Sequence, residues 1–224
     1  MDFSNYKFRC HALGNLLVNS RSKDELLSET TKTYLKEAWI KEVFDREKII
    51  TTKYMDKGIA CETDSLELVE KVLGKKYFKN QKEFSNEYIA GIPDVVDAEL
   101  VVDVKTSWDI WTFASVDEAK ARSTYYAQLL GYMWLTGKTK AKLAYCLVNT
   151  PEEQIEYEMY KLKVSGAIKD TEEEIAQARM NFIFDDIPEE KRLKTYDFEI
   201  DPETQTKLIE RIKLAREYMS TLSL

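Results

Sequence analysis

Asp94, Asp103 and Lys105 are the residues of this chain best suited to chemistry: two carboxylates and an ammonium set around a short apolar hairpin. Hard oxygen ligands of this kind favour Mg²⁺, with Mn²⁺ as a substitute. Two carboxylates held close together repel, and beside Val95, Val96, Val102 and Val104 they are also poorly solvated. Both effects raise carboxylate pKa values unless a positive charge sits between them. A divalent ion supplies that charge, and Lys105 adds a fixed one at the same place. For any Asp-x-Lys tripeptide alone, an ordinary surface salt bridge is the commoner explanation. The preceding Pro93-Asp94 and the hairpin spacing shift the balance toward a metal site.

Everything then depends on how the two segments pair. Asn86 to Asp97 carries apolar Tyr88, Ile89, Ile92, Val95 and Val96, and Leu100 to Val104 is almost wholly apolar, so both read as strands. Asp97-Ala98-Glu99 is the natural turn between them. A two-residue turn at Ala98-Glu99 sets Asp97 against Leu100 and hence Asp94 against Asp103, with α-carbons roughly 5 Å apart. Lys105 then points to the same face as Asp103. A three-residue turn centred on Ala98 instead places Val102 opposite Asp94 and turns Asp103 away.

Pro93-Asp94 followed by Asp103-Val104-Lys105 resembles the PD-(D/E)XK nuclease superfamily, with Asp in the more variable middle position. Gly58-Ile59-Ala60-Cys61-Glu62 resembles the glycine-then-glutamate motif of its phage lambda exonuclease (YqaJ-type) branch, which is related to RecB nuclease domains. Tyr125-Tyr126-Ala127-Gln128-Leu129-Leu130-Gly131-Tyr132 resembles that branch's tyrosine-and-glutamine helix. The matches run in the family's order from about residue 58 to 132. The resemblance implies an α/β, restriction-endonuclease-like core, a central mixed β-sheet flanked by helices. It also implies hydrolysis at double-stranded DNA ends that leaves a 5′-phosphate and a 3′-hydroxyl. Members work 5′ to 3′ as ring-shaped trimers and pair with a single-strand annealing protein in recombination. A homo-oligomer and such a partner are expected here on that ground alone.

Within that pattern, Asp94, Asp103 and the backbone carbonyl of Val104 are the expected metal ligands, with Glu62 as a third acid. Gly58, one turn before Glu62, would let another backbone approach closely. A lone helical glutamate is usually a surface residue, and Glu67 and Glu70 compete on the same helix. Lys105 is expected to position the attacking water, and Gln128 to orient Lys105 or a phosphate oxygen. The plain alternative for Gln128 is a core-edge amide bonded to backbone. Trp108, Trp111 and Phe113 could stack on unpaired bases, but aromatics in an apolar loop are more often core. His11 is the only histidine, which excludes a multi-histidine zinc site, and it reads as structural. Arg21, between two serines, is a candidate for a terminal 5′-phosphate, a role basic residues early in the chain play in the resembled family.

Length and composition set the outer bounds. The 224 residues and 44% hydrophobic content fit one nuclease domain over 1–224, with helical additions at both ends. No apolar run approaches the roughly 18 residues of a membrane span, and Met1-Asp2-Phe3-Ser4 is no signal peptide. Cys10, Cys61 and Cys146 suggest buried thiols in a reducing compartment, and the resemblance implies that this is the cytoplasm of a bacterial or phage-infected host cell. Three thiols are also one short of an iron–sulfur cluster. A net charge of −7 speaks against indiscriminate nucleic-acid binding. Lys32, Lys36, Lys41, Arg46, Lys48, Lys53 and Lys57 are interleaved with acids, whereas Lys71, Lys75, Lys76, Lys79 and Lys82 read as phosphate contacts.

Around the hairpin, apolar periodicity predicts a helix opening at Ser28-Glu29-Thr30 and a second over Lys57 to Leu73, with Ile59, Leu66, Val69 and Val72 inward. Thr106 to Glu118 reads as irregular, Ala121 to Leu135 as helix, Lys142 to Val148 as strand. Helices over 152–163 and 171–181, a strand from Arg192 to Ile200 and a helix from Pro202 to about Met219 complete the chain. The expected activity is a metal-dependent DNA exonuclease. The competing readings are a structure-selective or RecB-like endonuclease on the same core, and a catalytically inactive DNA-binding scaffold.

Overall fold

Two apolar segments pair in parallel at the centre of the molecule, and the acidic hairpin hangs on their edge. In the computed structural model, which describes all 224 residues, the chain begins with β1 (Phe8–Arg9), a 3₁₀ turn and α1 (Gly14–Leu17). Three helices follow: α2 (Glu29–Phe44), α3 (Lys53–Ala60) and α4 (Glu62–Leu73). The β-rich centre holds β2 (Phe84–Ser85), β3 (Ile89–Gly91), β4 (Val95–Val96) and β5 (Leu100–Thr106). Then come α5 (Ile110–Ala114), α6 (Glu118–Thr136) and β6 (Lys140–Cys146). The chain ends with α7 (Glu152–Val164), α8 (Glu172–Arg179), β7 (Leu193–Glu199) and α9 (Pro202–Thr221).

The strands make a four-stranded sheet in the order β4-β5-β6-β7 and a small three-stranded sheet in the order β1-β3-β2. The larger sheet is mixed: β5 and β6 are parallel, and both outer pairs are antiparallel. A parallel neighbour requires a crossover, and α6 provides it. The expected mixed sheet flanked by helices is therefore present, with the smaller sheet beside it.

Alternation along β5 decides which side chains meet which helix. Val101 joins the large core under α6, whereas Val102 joins a second cluster with Cys61, Leu68, Val69, Val95, Ala144 and Cys146 under α4. By the two-residue period of a strand, Asp103 and Lys105 share the α6 side with Val101. Local signals close the helices where the sequence predicts. Ser28 Oγ accepts the Thr31 N–H at 3.1 Å, and Gly74 and Gly137 take left-handed φ values of 62° and 69° at the ends of α4 and α6.

Three expectations fail. Asn86 to Asp97, expected as one strand, is divided at Ile92–Asp94 into β3 and β4, which belong to different sheets. The helix predicted over Lys57 to Leu73 is broken at Cys61 (φ −102°, ψ 14°), whose buried thiol donates to the Asn149 carbonyl at 3.4 Å. The break redirects α3, and Ile59, expected inward, is 75% exposed. The segment after β5 is not wholly irregular, because Asp109 caps the short helix α5. Trp108 and Phe113 are buried there as core, with Phe113 stacked on Tyr145, but Trp111 is 61% exposed.

Candidate active site

Register is the first determinant of the site. β4 and β5 pair Val95 with Val102 and Val96 with Val101, and the Asp97 N–H donates to the Leu100 carbonyl at 2.9 Å. The turn therefore has two residues, Ala98 and Glu99, and one further step along the same register sets Asp94 across from Asp103. The carboxylate of Asp94 reaches over the strand and accepts the Val104 N–H through Oδ2 at 2.7 Å.

Asp103 is the buried member, 1% exposed. Its Oδ1 accepts the Gln128 amide at 3.2 Å, and the same amide contacts the Tyr132 hydroxyl at 3.0 Å. Its Oδ2 lies 2.8 Å from Lys105 Nζ, yet off the hydrogen-bonding direction, so that buried oxygen has no hydrogen bond. Gln128 thus bonds Asp103 and the Tyr132 hydroxyl where Lys105 or a phosphate oxygen was expected, and of those two Lys105 is not its partner. Lys105 Nζ also stands 5.9 Å from the Tyr125 ring centre.

Charge balance follows from this packing. Burial and the Asp103 carboxylate push the Asp94 pKa up to about 7, with Lys105 and the Val104 N–H only partly opposing them. Burial works against a charge on Lys105, but Asp103 and Asp94 outweigh it and hold its pKa above the ordinary lysine value. The pair is short of positive charge.

Glu62 opens α4 and lines the same cleft, about 520 Å³ in volume, as Asp94, Val104, Lys105, Thr106 and Tyr125. Its charge adds to the raised pKa of Asp94. Its carboxylate, however, is paired with Lys79 at 2.6 Å, and no three His, Cys, Asp or Glu side chains stand close enough to hold one ion. The structure brings Asp94, Asp103, Lys105 and Gln128 together and leaves Glu62 on the cleft wall. A Cβ at Gly58 would meet nothing within 4 Å, so close backbone approach is not the reason for that glycine.

The remaining wall is α3, which contributes Tyr54, Met55, Gly58 and Ile59. These were not legible in the sequence, because the break at Cys61 that turns them outward leaves no composition signal. His11, which reads as structural in the sequence, lies on the surface, and with Arg9, Tyr34 and Lys41 it lines a second hollow. Burial, Arg9, Lys105 and Lys41 all lower its pKa. Arg21 lies in a third hollow with Ser20, Ser22 and Ser28.

The lysines before the hairpin, expected to meet phosphates, are mostly spoken for. Lys71 pairs with Glu189, Lys75 with Asp97, Lys76 with Glu70 and Lys79 with Glu62. Except for Glu70, six residues before Lys76, their partners come from distant parts of the chain, which linear counting of neighbours misses. All three cysteines are free and buried. No helix is long and apolar enough to cross a membrane.

Neither a family model nor a curated protein matches the sequence. Solved structures do. A phage-related exonuclease from Haemophilus somnus 129PT superposes with a TM-score of 0.77 at 25% identity, over 96% of this chain and 94% of that one. An alkaline exonuclease from Laribacter hongkongensis gives a TM-score of 0.66 at 10% identity, over 97% and 89%. The same enzyme in complex with dAMP gives 0.65 at 10% identity, over 96% and 88%.

Proposed function

We propose that this chain, a PD-(D/E)XK fold of the phage-exonuclease branch, is a divalent-cation-dependent deoxyribonuclease that works from double-stranded DNA ends. One observation carries the reading: Asp94 and Asp103 oppose each other across a hairpin, with Lys105 Nζ 2.8 Å from the inner carboxylate.

The donor set fits a hard cation, Mg²⁺ or Mn²⁺. Asp103 Oδ2 is buried without a hydrogen bond, and Asp94 stays short of compensating charge. Asp94, Asp103 and the Val104 carbonyl would hold the ion, and Glu62 would join them on leaving Lys79. Such an ion supplies a water of lowered pKa and screening of phosphoryl charge. Gln128 fixes the Asp103 carboxylate behind the cleft by holding its other oxygen. Lys105, kept protonated by both carboxylates, offers a donor to the attacking water and to the scissile phosphate. Tyr54, Met55, Ile59 and Tyr125 give the cleft apolar and aromatic walls on which a DNA end can rest.

By likeness to the exonucleases of this fold, the products are a 5′-phosphate and a 3′-hydroxyl, and the setting is phage-type recombination or repair in a bacterial or phage-infected cytoplasm. Assembly into a homo-oligomer and work beside a single-strand annealing protein belong to the same proposal. The test is one assay: end-labelled linear duplex beside covalently closed circular DNA, with Mg²⁺, with Mn²⁺ and with EDTA. Metal-dependent loss of the linear duplex alone is expected. Cutting of the closed circle indicates an endonuclease, and no cutting of either with Mn²⁺ binding absent indicates a scaffold.

A further inference from the structure

Helix α3 forms a wall of the cleft, and apart from the Tyr54–Trp108 edge contact (6.0 Å between ring centres) and the Lys53–Glu158 ion pair (3.4 Å) it has a single buried point of attachment. Eight residues are too few for a stable helix on propensity alone, and no apolar side chain of α3 is buried. Its only buried residue is Lys57, 0% exposed. Nζ of Lys57 donates to the Trp108 carbonyl at 2.9 Å. The Trp108 and Phe184 rings lie 5.9 and 5.3 Å from Nζ, and Cys61 and Asp109 are the titratable groups that act on it.

The Trp108 carbonyl is a firm point of attachment. It lies three residues past Lys105, and the preceding Ser107 N–H extends the β5–β6 ladder by donating to the Cys146 carbonyl at 2.7 Å. Lys53 Nζ, on the turn before, sits 4.4 Å from the Trp108 ring centre. Burying an amine with no carboxylate partner is unfavourable, and a methionine would fill the same volume without that cost. The amine gains a directed bond that no apolar side chain can make.

We propose that Lys57 is a positioning residue, which fastens the wall carrying Tyr54, Met55, Gly58 and Ile59 to the exit of the strand that carries Asp103 and Lys105. Through this bond the width of the cleft is referred to the active-site strand itself. Substrate contacts along α3 depend on it, whereas the carboxylates do not. The activity arm of its test rests on the proposed nuclease function, and the exchange arm does not.

The test compares the full chain with Lys57→Met by amide hydrogen exchange, urea unfolding and cleavage of end-labelled duplex. The urea midpoint at neutral pH is expected to hold or rise. Exchange of the 53–60 amides is expected to quicken by about tenfold or more, with β5 and β6 unaltered. The KM for duplex is expected to rise by about fivefold, with kcat changed by less than about threefold. Unaltered exchange in 53–60, or a gain spread evenly over the chain, overturns the proposal. So does faster exchange with an unmoved KM. Should Lys57→Met fail to fold, Lys57→Leu, which also lacks a donor, is read by the same exchange criterion. If the wild-type protein cuts no DNA, the nuclease reading falls while the exchange result still decides the anchor.

Discussion

Asp103 and Gln128 form the joint between the sheet and the crossover helix: the Gln128 amide donates to Asp103 Oδ1 at 3.2 Å and also touches the Tyr132 hydroxyl. One neutral side chain thus aims a buried carboxylate without changing the charge of the site. Replacing Gln128 by Ala is expected to lower single-turnover cleavage by about 10- to 100-fold with little change in KM, as loss of an orienting contact does. Gln128→Glu, which adds a third negative charge beside Asp103, is expected to be worse. Equal rates for Gln128→Ala and wild type would remove the orienting role.

Lys105, half-buried, pairs with the buried carboxylate of Asp103, and removing Lys105 leaves that buried charge uncompensated. Lys105→Ala is expected to destabilise the metal-free protein by on the order of 3 kcal/mol. It should also abolish cleavage. In the proposed site Mn²⁺ would supply the missing charge, so added Mn²⁺ should raise the melting temperature of Lys105→Ala more than that of wild type. Asp103→Asn should lose both cleavage and the Mn²⁺ response. Calorimetric melts with and without Mn²⁺ read both.

The Glu62–Lys79 pair is exposed, so breaking it costs under about 1 kcal/mol. If Glu62 turns to the metal, Lys79→Met frees it. Mn²⁺ affinity by titration calorimetry is then expected to rise by about two- to fivefold, and Glu62→Gln to lower it, in keeping with ligand charge. Identical affinities in the three proteins would take Glu62 out of the site.

Cys10 packs into the space left by two glycines. A Cβ at Gly91 would stand 2.7 Å from Cys10 Sγ and 2.8 Å from Tyr132, and a Cβ at Gly131 would stand 2.9 Å from the same sulfur and 2.7 Å from Leu13. Gly91 leads into Pro93-Asp94, and Gly131 lies one turn past Gln128, so this contact fixes the spacing between hairpin and helix. Gly91→Ala is expected to cost about 1–3 kcal/mol by overpacking. Cys10→Ala in the same chain should recover part of that loss, read as non-additivity in urea unfolding.

Lys57 also predicts a pH trend. Burial pushes its pKa down to about 8, with Cys61 and Asp109 opposing, against an ordinary 10.5 in the unfolded chain. Between those values the unfolded state holds a proton that the folded state lacks, so stability from this group rises with pH from about 8 to 10.5 and is lowest below 8. Relative to wild type, Lys57→Met is therefore most favoured near pH 7. Its advantage should shrink by on the order of 2 kcal/mol by pH 10. Cys10, Cys146 and the buried tyrosines titrate alike in both proteins and cancel in the difference, and Cys61, which Lys57 acts on, is taken out of it by making both measurements in a Cys61→Ala background. A constant difference would mean that Lys57 is charged throughout.

Short-range rules carried a large part of this protein. Strand alternation and turn chemistry are local, so a stretch of a dozen residues narrows the pairing to two registers, and the folded hairpin selects the one that sets Asp94 against Asp103. Ser28, Gly74, Gly137 and Pro202 mark helix ends through backbone preferences that need no partner. Tertiary structure decided what depends on distant groups. Lys79 reads as free until the fold presents Glu62, and Lys75 until it presents Asp97. The break at Cys61 exists because its thiol is drawn into the core beside Asn149, and that contact turns α3 into a cleft wall. Lys57 looks like one more surface lysine in a charged run, yet packing beneath Trp108 makes it the anchor of that wall. Periodicity records which residues share a face, whereas pairing and burial depend on what the rest of the chain brings to that face.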